Sequence, residues 1–242
     1  LVLQEIRDVF SSFKKKKKVQ VSLHAKLVLF LTLFFIVFSW ITFLLIEWNN
    51  SLQDLTVKEK ILSSLFQIIT PRTAGFNTMN LNTLSFASLL LLISLMFIGA
   101  SPGSTGGGVK TNTIGVIFLF LKSKITVRES VNLFYRTLPL ELITRAFMVI
   151  TLSICVVFAS SFALFLTEAG TSMAEVFFEV FSAFGTVGLS LGLTPKLSTL
   201  GKIVIILTMY IGRIGPLTLL YAFSRQRAFG KYEYVEETVM IG

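Results

Sequence analysis

The chain reads as an all-α integral membrane protein built from two copies of one unit: a membrane span, a short re-entrant helix, a glycine turn and a second span. Three observations predict this. Apolar residues make up 53% of the 242 residues. Two stretches, Leu27 to Ile46 and Ala146 to Thr167, carry no charge over at least the roughly 20 residues that cross a bilayer. The pattern Thr-small-Gly-apolar-small polar occurs twice, as Thr73-Ala74-Gly75-Phe76-Asn77 and as Thr186-Val187-Gly188-Leu189-Ser190. One constant offset carries this match without a gap through Leu84/Leu197, Ser85/Ser198, Met96/Met209, Ile98/Ile211 and Gly99/Gly212.

In the first unit the elements are the span Leu27 to Ile46, an amphipathic segment Val57 to Thr70, the turn Pro71 to Asn77 and an apolar stretch Leu84 to Leu121. In the second they are Ala146 to Thr167, Met173 to Phe184, Gly185 to Ser190 and Leu197 to Ala222. The amphipathic segments are too short to cross a bilayer, and they suit re-entrant helices whose ends are tolerated at membrane depth because protein surrounds them. Both second spans are interrupted, the first by Gly99 to Lys110 and the second by Gly212-Arg213-Ile214-Gly215-Pro216.

The net charge of +9 is distributed by side. Arg7, Lys14 to Lys18, Lys26, Lys122, Lys124, Arg128, Arg136, Arg225, Arg227 and Lys231 fall on one side of the predicted spans. Lys58, Lys60, Arg72 and Lys196 fall among acidic residues on the other. The positive-inside rule then places both ends of this segment in the cytoplasm. Lys14 to Lys18 abuts a span without interleaved aromatics, so nucleic acid is not the expected partner. Cys155 is the single cysteine and the lone His24 sits at the edge of the first span, which excludes a disulfide framework or a Cys/His metal centre. Asn49-Asn50-Ser51 formally matches a glycosylation acceptor, a motif too short to weigh. No cleavable signal peptide is recognisable, and a chain that starts at Leu1 is expected to be part of something longer. Paired carboxylates, a histidine cluster and a Ser/His/Asp set are missing from the spans, so an enzyme is not expected.

A duplicated glycine turn backed by an apolar helix suits a pathway for a cation stripped of water, because backbone carbonyls can ring the ion where several equivalent segments meet. Gly75 and Gly188 permit the left-handed angles such a strand needs, and Thr73 and Thr186 can add hydroxyl oxygens. The negative C-terminal ends of the short helices would favour a cation. The alternative is that each glycine merely ends a helix, which two matched copies argue against.

The motifs Pro71 to Asn77, Ser101-Pro102-Gly103-Ser104-Thr105-Gly106-Gly107-Gly108-Val109-Lys110-Thr111 and Gly185 to Ser190 resemble the Trk/Ktr/HKT superfamily, over nearly all of the chain from about Leu23 to Tyr221. The resemblance implies potassium uptake through one pore ringed by four unequal repeats of a unit also found in potassium channels. Residues 1–22 would end the second repeat and its cytoplasmic linker, 23–122 form the third repeat, 123–141 a cytoplasmic linker, 142–223 the fourth repeat and 224–242 a cytoplasmic tail. The filter would comprise Thr73, Ala74, Gly75, Phe76 and Asn77 with Thr186, Val187, Gly188 and Leu189, potassium being held through Thr73, Ala74, Thr186 and Val187. Potassium is then the substrate, and no cofactor is expected. The family's pores are gated by separate cytoplasmic nucleotide-binding ring subunits, for which 123–141 and 224–242 are the expected docking surfaces. A homodimer of the full-length pore subunit, contact with membrane lipid and a bacterial inner-membrane location are implied as well. Sodium with potassium is the alternative cargo, since a serine at the first repeat's filter glycine goes with sodium in this superfamily. The alternative from another class is a membrane scaffold that recruits a partner through Lys14 to Lys18 and the tail.

Between Gly99 and Thr113 the sequence cannot stay helical: Pro102 removes a donor, and Gly103, Gly106, Gly107 and Gly108 each cost about 1 kcal/mol relative to alanine. The freed backbone must face water or protein, so Gly99, Ser101, Pro102, Gly103, Ser104, Thr105, Gly106, Gly107 and Gly108 are expected to border the ion pathway. The resemblance implies the same loop, as a gate under the filter to which Lys110 and Arg213 also belong. A phosphate-binding P-loop is excluded because Val109 separates the last glycine from Lys110 and no soluble strand precedes it. Arg213, near the middle of its span and opposite Ala100 by the repeat, is expected to donate to loop carbonyls and to oppose cation flow, and the family has an arginine at this place. Lys110 and Arg145 are expected to snorkel toward the cytoplasm.

Overall fold

In a computed structural model, residues 23–126, 131–133 and 136–223 are described. The expected cytoplasmic segments 1–22 and 224–242, with Lys14 to Lys18 and the basic tail, lie outside the described residues, as does Arg128.

Uninterrupted apolar sequence gives the two continuous spans, α1 (Leu23–Glu47, 25 residues) and α5 (Leu140–Thr167, 28 residues). Phe30, Phe34 and Phe38 recur at helical spacing and stack along an exposed stripe of α1. The re-entrant helices are α2 (Val57–Ile69) and α6 (Met173–Phe184), of 13 and 12 residues. Both start with a capping box, Thr56 with Glu59 and Ser172 with Glu175, which satisfies two otherwise orphaned N–H groups at each start. The same bonds hold both carboxyls below their ordinary range, through the Thr56 hydroxyl first at Glu59 and the Ser172 backbone N–H first at Glu175.

The interruption in the first unit splits its second span into α3 (Phe86–Phe97) and α4 (Thr111–Ile125). In the second unit the break takes another form. Helix α7 (Thr199–Ile214) turns by 89° into the short α8 (Pro216–Phe223), because Gly215 adopts φ 93° and Pro216 cannot continue the ladder of α7. Leu197 to Ala222 is therefore a bent pair rather than one span. A two-residue antiparallel hairpin, β1 (Asn132–Leu133) with β2 (Arg136–Thr137), is the one sheet among the described residues, and it lies in the expected linker.

The two units share their core. One apolar cluster joins Phe43 of α1, Ile68 of α2 and Leu92, Leu95 and Met96 of α3 to Phe178 of α6 and to Val187 and Leu189 of the second glycine turn. Phe97 of α3 packs edge-on against Phe181 and stacks on Phe184, both on α6. This packing sets one glycine turn beside the other.

Candidate ion pathway

Each glycine turn hangs from the end of its re-entrant helix. Ala74 and Gly75 donate their N–H groups to Thr70 O at 3.0 and 3.4 Å, and Thr186 and Val187 donate to Ala183 O at 3.0 Å and Ser182 O at 2.9 Å. The Thr70 hydroxyl donates to Phe76 O and closes the first turn. Beyond these bonds the backbone alternates: Thr73 (φ 74°) and Gly75 (φ 75°) are left-handed, as are Thr186 (φ 50°) and Gly188 (φ 93°). The two threonines are the only non-glycine residues with positive φ among the described residues. A β-branched residue in that region is strained and persists only where its surroundings dictate it. The sequence singled out the glycines; it gave no sign that the threonines share their conformation.

The turns meet face to face. A Cβ on Gly75 would overlap Val187 O, and a Cβ on Gly188 would sit 3.7 Å from Gly75 Cα. The loop 98–110 closes on itself, since Val109 N donates to Phe97 O at 3.0 Å and Ile98 bridges Val109 in parallel. From that neck the loop reaches the threonines of both glycine turns. Gly107 N donates to Thr186 Oγ1 at 3.0 Å, and a Cβ on Gly106 would come 3.0 Å from Thr73 Cγ2. Gly106 and Gly107 are buried there while Gly103, Ser104 and Thr105 stay exposed. Ser101 is anchored to α1 through Thr32 at 3.1 Å.

The basic residues differ from expectation. Lys110 does not snorkel: its Nζ turns back to Gly106 O at 2.5 Å and reaches Ser104 O at 3.5 Å. Arg213 makes no hydrogen bond to the described loop, and it sits exposed in the last turn of α7, just before the bend at Gly215. A cation there complements the negative end of the helix dipole. Arg145 is exposed and pairs with Glu141 at 2.5 Å. His24 meets Asn112 at 3.2 Å.

Two carboxylates that the sequence reading passed over repeat in space. Glu47, fully buried at the end of α1, accepts from Ser85 N at 2.9 Å and Ser85 Oγ at 2.6 Å. Glu168, just past α5, accepts from Ser198 N at 3.1 Å and Ser198 Oγ at 2.6 Å. Ser85 and Ser198 are the N-caps of α3 and α7, so in each unit the end of the first span fastens the start of the second. The available signal was an acidic residue closing each long apolar run.

The units differ in how their turns are backed. Val187 and Leu189 are 4% and 3% exposed against the first unit, whereas Phe76, the counterpart of Leu189, is 70% exposed.

Comparison with known proteins agrees with this architecture. The family model described as "TrkH: Cation transport protein" matches residues 12–233. The potassium/sodium uptake protein NtpJ of Enterococcus hirae is 39% identical, over 98% of this chain and 53% of its own length. The Ktr system potassium uptake protein B of Bacillus subtilis is 38% identical, over 90% of this chain and 49% of its own. The chain thus spans about half the length of these curated relatives. The crystal structure of the potassium transporter TrkH from Vibrio parahaemolyticus shares the fold, with a TM-score of 0.70 and 23% identity over 80% of this chain and 43% of that one. The chain therefore belongs to the TrkH family of cation transport proteins.

Proposed function

We propose that this chain forms half of a potassium uptake pore, with Thr73 to Asn77 and Thr186 to Leu189 as two of the segments that ring the ion. The observation that carries the reading is the pair of facing turns, each left-handed at its threonine and its glycine. In an extended strand successive carbonyls alternate sides, and a positive φ at every second residue turns them toward one side, where they can replace an ion's water. Potassium is the cargo the relatives' names share, one of them adding sodium, and glycine at both turns favours potassium.

The loop 98–110 is the gate in this reading. It rests on both filter threonines, and Lys110 rather than Arg213 holds its shape, while Arg213 adds positive charge below. A cytoplasmic nucleotide-binding ring subunit docking on 123–141 and 224–242 would move it. The uncovered Phe76 marks where a further repeat would back the first turn as the first unit backs the second.

Potassium uptake in cells lacking their own uptake systems tests the reading. The intact protein should restore growth at low potassium, and Gly75→Ala and Gly188→Ala should each abolish it or lower the potassium/sodium ratio while the protein stays in the membrane. Unchanged uptake and ratio in both variants would refute the filter assignment and leave a scaffold as the better reading.

A further inference from the structure

The strand leaving the second turn is tied back to its own re-entrant helix by a buried carboxylate. Glu179 lies on α6 and is 5% exposed. The Ser190 hydroxyl donates to its Oε2 at 2.6 Å, and the Thr194 hydroxyl donates to its Oε1. Ser190 Oγ in turn accepts from Gly192 N at 3.0 Å, so the bond network continues along the strand beyond Leu189. Both oxygens are thus filled by hydroxyls from the segment just past the turn. Among the described residues Glu179 has no ion-pair partner. With hydroxyl donors on both oxygens and no cation beside it, the group is bonded as an acceptor-only carboxylate, which places a negative charge behind the turn.

The first unit lacks the tie. Its helix carries Gln67 at the corresponding place, since Gln67 and Glu179 each lie three residues before the carbonyl, Thr70 or Ser182, that receives the turn. Gln67 is fully buried, yet neither atom of its amide has a partner. The Thr70 hydroxyl holds the first strand at Phe76 O; past Phe76, among the described residues, it is held only locally, by Asn77 Nδ2 on Met79 O at 3.4 Å.

We infer that Glu179 is a positioning residue for the second filter segment: through Ser190 and Thr194 it fixes the outer end of that segment, and its uncompensated charge favours a cation at the filter. The inference rests on the pore reading above. It makes the second segment the rigid one and the first the adaptable one. Charge and tether separate by mutation. Glu179→Gln keeps the shape, removes the charge and replaces one acceptor by an NH2 group. Glu179→Asp keeps the charge on a shorter arm. Ser190→Ala with Thr194→Ala removes the tether and keeps the charge.

The test is ion flux by the intact protein in vesicles, read as the potassium/sodium permeability ratio and the apparent KM for potassium. Glu179→Gln is expected to lower the ratio about tenfold, the size of one lost charge-assisted hydrogen bond, and to raise KM. Glu179→Asp should recover KM more than the ratio. The Ser190→Ala/Thr194→Ala variant should lower the ratio with less effect on KM, and combining it with Glu179→Gln should add little further loss in the ratio, as for groups in one network. A wild-type ratio and KM in both Glu179→Gln and the double variant would overturn the inference, as would a loss of inserted protein with both values intact. Gly188→Ala run alongside separates the two readings. If it destroys selectivity while Glu179→Gln does not, the pore reading stands and this one falls; if neither changes selectivity, the pore reading itself has failed.

Discussion

Thr73 and Thr186 hold the account together at the residue scale, because each is left-handed against its own preference and each touches the loop beneath. The glycines beside them carry unequal loads. Alanine at a left-handed position costs about 1–2 kcal/mol of backbone strain, and that is all Gly188→Ala meets, with its nearest atom at 3.7 Å. Gly75→Ala meets the same strain together with an overlap on Val187 O. Gly75→Ala is therefore expected to lose more of the potassium/sodium ratio than Gly188→Ala, which flux measurements on both variants would check; the reverse order would contradict the packing of the turns. At Lys110 the expectation is a gain: Lys110→Ala frees Gly106 O and Ser104 O, so uptake should rise and depend less on a cytoplasmic regulator, with a smaller rise for Arg213→Ala. Equal or inverted effects would restore Arg213 as the tether. The glycines were legible because few residues tolerate φ above zero. The threonine angles were not, since propensity argues against them. Lys110 was legible as a residue of the loop, but its expected snorkelling was not met, because a straight helix would carry its amine toward water whereas the broken helix folds it back over its own loop.

Among the elements, the loop 98–110 and the bent pair α7/α8 resolve one sequence problem in two ways. Glycine and proline break both second spans at matched places, and only the first break grows into a lobe that reaches Thr73 and Thr186. Removing Ser104 to Gly108 takes away the contacts to Thr73 and Thr186, so a well-inserted deletion variant is expected to conduct more; reduced flux would make the loop a packing feature. Gly212 has a different role. A Cβ there would overlap the carbonyl of Phe184 at the end of α6, so Gly212→Ala should cost about 1–3 kcal/mol by forcing α7 off that helix end, seen as a lower melting temperature in detergent. An unchanged melting temperature would show that the approach is looser than described. The element boundaries were largely legible: Val57–Ile69 and Met173–Phe184 fall where amphipathic spacing predicted them. The Glu47–Ser85 and Glu168–Ser198 fastenings were not, because the offset that aligns Ser85 with Ser198 sets Glu47 opposite Ser160. The repeat is kept in space where it slips in sequence.

For the whole molecule, the asymmetry between the units is the informative quantity. Val187 and Leu189 rest on residues of the first unit, whereas Phe76 is 70% exposed. An arrangement in which each unit backs its neighbour's turn stays open after two units, and the chain spans about half the length of its curated relatives. A ring of carbonyls around one ion asks for more equivalent segments than two. The central claim is thus that these two turns are part of a larger potassium filter, and flux into reconstituted vesicles tests it most directly. Residues 1–242 alone should insert and carry little potassium, and co-expression with an N-terminal half bearing two further turns should restore flux selective for potassium over sodium, a selectivity that Gly188→Ala then removes. Robust, selective flux from residues 1–242 alone would contradict the account and point to a pore made by pairing two copies of this chain.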